Sequence, residues 1–260
     1  MQGPGHRARR PAARRPGALI GLAQWILRPL LRLLAPPTWW GTEHLPATGG
    51  AVVCANHTGP FDPLAVGHLL QAHHVPPRFM AKQELFDIPV LGTLLRHAGQ
   101  IPVRRGAGRA GRAIGTAEEL VRRGGVVVMF PEGSYTRDAA QWPMRARPGA
   151  ARIALDTGAP LIPVACVGSR AVWAPRTARL RHRPRGTLVL QVGPPITPRQ
   201  LPGESDHQAT RRTTDEVMAA ITAMLAGLRH ERPPAHVHDP RQDTFRPEEG
   251  PTTPAQGADR

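Results

Sequence analysis

The stretch AVVCANHTGPFDPLAVGHLLQA (51–72) decides how the rest of the chain is read. Residues 51–55 are a short unbroken apolar run, as in a strand buried on both faces, and 63–72 read as a helix. Between them, NHTGPFD (56–62) is a strand-to-helix loop, and in open α/β sheets such loops are where ligands bind. His57 and Asp62 stand on that loop, with Gly59 and Pro60 between them to allow a tight turn that folds the carboxylate back toward the imidazole. An aspartate accepting a hydrogen bond from one ring nitrogen fixes the tautomer and steadies the imidazolium, which leaves the other nitrogen to take a proton from a hydroxyl. The same residues also fit a plainer reading, with Asp62 before Pro63 as a helix N-cap and His57 as an ordinary loop histidine.

Outward from this stretch, short apolar runs alternate with helical patterns, as in an α/β layer protein. The pattern predicts strands at 51–55, 78–81, 100–103, 126–130, 161–166 and 187–192, and helices at 63–72, 89–97, 109–123, 147–157 and 206–229. The last helix carries Val217, Ile221, Met224 and Leu228 on one face, so it should close the domain. A chain of 260 residues, 40% of them hydrophobic, suffices for one sizeable core, here a single domain over 41–230. Residues 1–17 are a basic arm rich in Arg, Pro and Gly, and 231–260 form a polar, Pro-rich tail without periodicity. Both are expected to be disordered.

Residues 18–40 differ from the arm before them. From Ala18 to Leu34 the chain is apolar except for Gly21, Gln24, Arg28, Pro29 and Arg32, and the spacing of three and four puts a narrow polar stripe on one helical face. Such a helix would reach only about 25 Å, short of the roughly 30 Å hydrocarbon core of a bilayer. An amphipathic segment lying in the membrane interface is the expectation, with Trp25, Trp39 and Trp40 at headgroup level and the arginines toward anionic lipid. The competing reading is a helix kinked at Pro29 that simply packs on the domain.

The formal charge of +15 favours an anionic partner: nucleic acid, anionic lipid or a phosphorylated substrate. Aromatic residues make up only 4% of the chain, too few to interleave with bases, and no nucleic-acid motif is present, so no nucleic acid is expected. Cys54 and Cys166 are the only cysteines, inside predicted strands, which gives neither a disulfide framework nor a zinc pattern. His73/His74 and His236/His238 lack ligands at metal-binding spacing and HExxH is absent, so no metal is expected. GAGRAG (106–111) matches the GxGxxG fingerprint, but the acid expected about 20 residues later would be Glu132, which belongs to another motif.

That motif is FPEGSYTR (130–137), which ends the most apolar strand of the chain. A turn of this kind can present backbone N–H groups to an anion or a developing oxyanion, and it can equally be an ordinary strand-ending turn. NHTGPFD, then KQELFDIPVLG (82–92) leading to GQIPVRR (99–105), then FPEGSYTR, then GAPLIPVA (158–165) together resemble the glycerophospholipid acyltransferase family, of the 1-acyl-sn-glycerol-3-phosphate acyltransferase (PlsC-like) type. Four blocks in the family's order, across residues 41–200, are far more specific than any one of them.

The resemblance implies an α/β fold with a central mixed sheet flanked by helices. It implies transfer of a fatty acyl group from acyl-CoA or acyl-carrier protein to the sn-2 hydroxyl of a lysophospholipid acceptor, 1-acyl-sn-glycerol-3-phosphate, giving phosphatidic acid. No cofactor is implied beyond the acyl thioester donor. His57 becomes the general base and Asp62 its orienting partner, with direct attack on the thioester and no acyl-enzyme. Glu132, Gly133 and Ser134 become the acceptor-positioning turn, and Arg105, with Arg104 beside it, the phosphate-pairing arginine. Lys82, the single lysine among 34 basic residues, lies where the family often has lysine and suits a phosphate, although chance retention explains it as well. Many members carry Thr-Arg after the Glu-Gly, whereas this chain has Ser134-Tyr135, so either Arg137 substitutes or the acceptor headgroup differs. The expected setting is the cell membrane, with the protein peripheral or monotopic on an anionic cytoplasmic face.

Overall fold

The computed structural model describes residues 29, 31–104, 110–175, 179–183 and 186–242. Seven strands, β1 (Pro37–Trp40), β2 (Ala51–Ala55), β3 (Pro77–Lys82), β4 (Ile101–Val103), β5 (Val126–Met129), β6 (Leu161–Val167) and β7 (Leu188–Val192), form one sheet in the order β1-β7-β6-β2-β5-β3-β4. All neighbours pair in parallel except β6 and β7, which run antiparallel. The helices are α1 (Asp62–Ala72), α2 (Gln83–Phe86), α3 (Pro89–His97), α4 (Ala110–Arg122), α5 (Gly149–Thr157), α6 (Ser169–Val172) and α7 (Asp206–Arg229). The expected mixed α/β sheet with flanking helices is therefore what the chain forms.

Strand β2 lies at the centre and is buried along its whole length, because helices cover both faces of the sheet. Its side chains alternate between two cores with the period of two that a strand imposes. Ala51, Val53 and Ala55 join Leu69 and Leu70 of α1, while Val52 and Cys54 join Ala117 of α4, Ile153 of α5 and Ile221 of α7. Helix α7 begins at a reciprocal cap, in which Ser205 Oγ accepts from the Gln208 N–H and Gln208 Oε1 accepts from the Ser205 N–H. Such caps hold a helix start to about 1 kcal/mol.

The chain departs from the sequence expectations at three places. Residues 37–40, expected as the end of an interfacial helix, form edge strand β1 beside β7; Pro36 and Pro37 end the helix, and Thr-Trp-Trp suits a ladder. Trp39 is packed inside, edge-on to His68 and His73, rather than presented to a headgroup layer. Of the segment before it, residues 31–34 are helical, with Leu31 and Ala35 buried in the α1-side core and Leu33 exposed; residues 18–28 and 30 lie outside the described residues, as do 1–17. Residues 231–242 are irregular but anchored, since His238 C=O accepts from the Arg145 N–H at 2.9 Å and Asp239 pairs with the Arg145 guanidinium at 2.9 Å. The remaining expected tail, 243–260, is not described. Among the described residues no helix is long and apolar enough to cross a membrane.

Candidate active site

Strands β6, β2, β5, β3 and β4 run in one direction, so the loops that follow them gather at one edge of the sheet. The loop after β2 carries His57 and Asp62, and the loop after β5 carries Glu132 and Tyr135. Asp62 is fully buried. Its Oδ2 accepts from His57 Nδ1 at 2.9 Å, from the Thr58 N–H at 2.6 Å and from the Gly59 N–H at 2.8 Å. Its Oδ1 accepts from Ser169 Oγ and lies 3.3 Å from the Thr58 hydroxyl, which is itself 2.9 Å from Ser169 Oγ.

This geometry removes the helix-cap reading of Asp62. Asp62 is the first residue of α1, Phe61 is the N-cap, and no side-chain cap bond is made there. The carboxylate points back into its own loop. With two backbone donors already on Oδ2, His57 Nδ1 is placed as a third donor, and Nε2 is the ring nitrogen that takes no part in this bond. The imidazole is stacked on Phe130 with centroids 4.1 Å apart and met edge-on by Tyr135 at 4.5 Å. Tyr135, the departure from the family pattern, is thus one wall of the histidine's slot. Burial raises its phenol above the ordinary value, with the Asp62 charge adding to the effect.

The two motifs are joined through Glu132, which is 3% exposed. One carboxylate oxygen accepts from the His57 N–H at 2.8 Å and the other from the Met144 N–H at 2.9 Å, while the His57 C=O accepts from the Thr136 N–H at 2.7 Å. Both backbone groups of His57 are therefore held by the 130–137 loop. Burial pushes the Glu132 carboxyl up to about 8, against the two N–H donors, and the nearby Asp62 charge adds to the rise. Each carboxylate oxygen thus accepts one backbone N–H within the protein, and Glu132 ties the two loops together. Cys54 and Cys166 are buried, and burial pushes the Cys54 thiol up to about 12 and that of Cys166 well above its ordinary value. Neither is a ready nucleophile, since the thiolate is the reactive form.

The other expected residues are spread along the same edge. Lys82 ends β3 and is exposed; Arg104 is exposed just past β4, its Nε 3.5 Å from Gln83 Oε1. Arg105 lies outside the described residues, as does most of GAGRAG. Ser134 is half-buried, and Arg137 is exposed with its backbone N–H 3.1 Å from Met144 Sδ. Gly133 has φ +72°, and a β-carbon there would come within 2.9 Å of Arg147 Nε, so the Arg147 guanidinium lies directly over the turn. Arg147, Thr58, Ser169 and Asn56 were not picked out by sequence. Asn56 clamps the loop to β6, donating to the Cys166 C=O at 3.0 Å and accepting from its N–H at 2.7 Å. Asn56, Thr58, Arg170 and Arg229 also border a cleft of about 460 Å³.

Comparison with known proteins gives the family of the chain. The family model described as Acyltransferase matches residues 38–167, which is half of the chain and contains both loops. The chain belongs to that acyltransferase family. It is 29% identical over 201 residues to the 1-acyl-sn-glycerol-3-phosphate acyltransferase of Bacillus subtilis, covering 76% of this chain and 89% of that one. It is 31% identical over 163 residues to an uncharacterized protein of Mycobacterium leprae, where the match takes in 57% of this chain but only 42% of the relative. The chain thus spans less than half the length of the mycobacterial relatives it matches. In fold it is similar to the crystal structure of the 1-acyl-sn-glycerophosphate acyltransferase PlsC of Thermotoga maritima, with a TM-score of 0.61 at 23% identity over 80% of each chain.

Proposed function

We propose that this chain transfers a fatty acyl group from acyl-CoA or acyl-carrier protein to the sn-2 hydroxyl of 1-acyl-sn-glycerol-3-phosphate, forming phosphatidic acid at a membrane surface on its cytoplasmic face. The observation that carries the proposal is the buried Asp62 bonded to His57 Nδ1, which turns Nε2 toward an acceptor. Nε2 takes the hydroxyl proton as the hydroxyl oxygen attacks the thioester carbonyl; the C–S bond then breaks, and the leaving thiolate recovers the proton from the imidazolium. The names of the relatives support the acceptor and the two buried cysteines support direct transfer. The acceptor phosphate is assigned to Arg147 over Gly133 together with Arg137, to Lys82 and Arg104 farther along the same edge, and by the family resemblance to Arg105, with Gly133 and Ser134 lining its approach.

The test is purified protein with labelled acyl-CoA and a panel of lysolipids, beside His57→Ala. Lysophosphatidate should be the preferred acceptor, and His57→Ala should lower kcat by about a hundred-fold or more, the usual worth of a positioned base. Equal transfer by that variant would overturn the mechanism, and preference for an acceptor without phosphate would overturn the headgroup.

A further inference from the structure

The exposed apolar side chains are distributed unevenly about the sheet. Helices α2 and α3 follow β3 and so sit at the His57 edge; residues 31–36 precede β1, which runs the other way, and reach that edge too. Leu33 is 71% exposed and Leu180 50% on the β7 side of the His57 loop. On the β4 side, Leu85, Ile88 and Leu91 are exposed and Val90 is 84% exposed. Trp40 and Leu201 are exposed at the opposite edge.

The α2–α3 ridge is a built feature. A β-carbon at Gly92 would meet the Phe86 carbonyl oxygen at 2.0 Å, and Arg96 donates to that same oxygen at 2.7 Å. The backbone of α3 is thereby seated on α2, which leaves Ile88 and Val90 at the outer surface. β3 is two strands from β2, so the ridge starts about 10 Å along the sheet from the catalytic loop. Lys82, Arg96, His97 and Arg104 are exposed around it, against Glu84 and Asp87. Four side chains offer a few hundred Å² at most, well under the roughly 800 Å² per partner of a stable protein interface. A lipid surface needs no such area, only apolar tips within a cationic rim.

We propose that the α2–α3 ridge docks on an anionic lipid bilayer, with Ile88 and Val90 inserted below the headgroups so that the His57 edge faces the membrane. This rests on the proposed lipid acceptor, and it adds a contact within the catalytic domain to the one expected of residues 18–40. The native cysteines are 0% and 1% exposed, so Val90→Cys in the full chain offers one accessible thiol for a nitrobenzoxadiazole label. Thr48→Cys, exposed before β2 at the opposite edge, is the control. With vesicles of phosphatidylcholine containing phosphatidylglycerol, emission at 90 should shift to the blue and at 48 should not. The double variant Ile88→Asp with Val90→Asp should bind these vesicles about ten-fold more weakly or worse, yet turn over a short-chain, water-soluble lysophosphatidate at the normal rate. No shift at 90, a blue emission at 90 already present in buffer, or equal loss on the soluble acceptor would overturn the proposal. Vesicle binding is read without substrate, so a blue shift of the labelled Val90→Cys chain beside a native chain that acylates no lysolipid would refute the proposed reaction and leave the ridge standing.

Discussion

Ser169 reaches the site from 107 residues beyond Asp62, and no spacing rule links the two positions. Its hydroxyl and that of Thr58 satisfy the outer oxygen of a carboxylate that is otherwise bonded only within its own loop. Removing one partner of a buried charge-assisted bond costs about 1–3 kcal/mol. Ser169→Ala should therefore lower kcat several-fold with little change in acceptor KM, and alter the pH dependence of kcat, because Asp62 and through it His57 are less firmly held. A loss of melting temperature alone, with an unchanged pH–rate profile, would make Ser169 merely structural. At the same scale, Arg147→Ala should raise the acceptor KM by about ten-fold, the worth of one charged contact, more than Arg137→Ala does. A panel of lysolipids measured on both variants checks it. His57 and Asp62 were legible because one loop carries both. Ser169 and Arg147 were not, because their roles arise only where the chain after β6 and the irregular segment after Met144 return to that loop.

The elements were read well wherever a period was long enough to measure. Helix α7 runs over the expected 206–229, α3 over 89–97, and six strands fall within a residue or two of their expected ends. The short pieces were missed. β1 was absorbed into a helical pattern because residues 31–35 continue the apolar spacing up to the prolines, and α2 and α6, of four residues each, carry no period at all. The glycine of the IPVLG block has a clear reason in the packing of α3 on α2. Gly92→Ala would force a β-carbon against the Phe86 backbone, and overpacking of this kind costs about 1–3 kcal/mol. The expected result is a lower melting temperature, with faster amide exchange confined mainly to residues 83–97; unchanged exchange there would show that the two helices part without cost.

For the whole molecule, Glu132 couples the site to stability. Its carboxyl titrates near 8 in the folded chain against an ordinary 4.5. Between those values the folded state holds a proton that the unfolded state has released, so this group's contribution to stability is complete below about 4.5 and is lost as pH rises through 8. Unfolding midpoints measured across that window should fall with pH in the native chain, and Glu132→Gln should flatten the fall while lowering stability at pH 5, since an amide cannot accept both N–H groups. A native profile flat from pH 5 to 8 would show that the two backbone donors keep the carboxylate charged. The order of the sheet, with β6 and β7 closing beside β2 and β1, was beyond reach from the sequence, because strand order depends on which pieces meet and not on any local pattern.

The return of β6 to the centre of the sheet also sets a schedule for synthesis. A ribosome adding about 5–20 residues per second needs roughly 5–20 s after Asp62 to deliver Ser169. Throughout that interval the nascent chain carries its histidine and aspartate but lacks the hydroxyl that seats the carboxylate and the strand that covers β2. Competence comes late, as the sheet closes, and a chain released before residue 169 would display both signature loops and have no site.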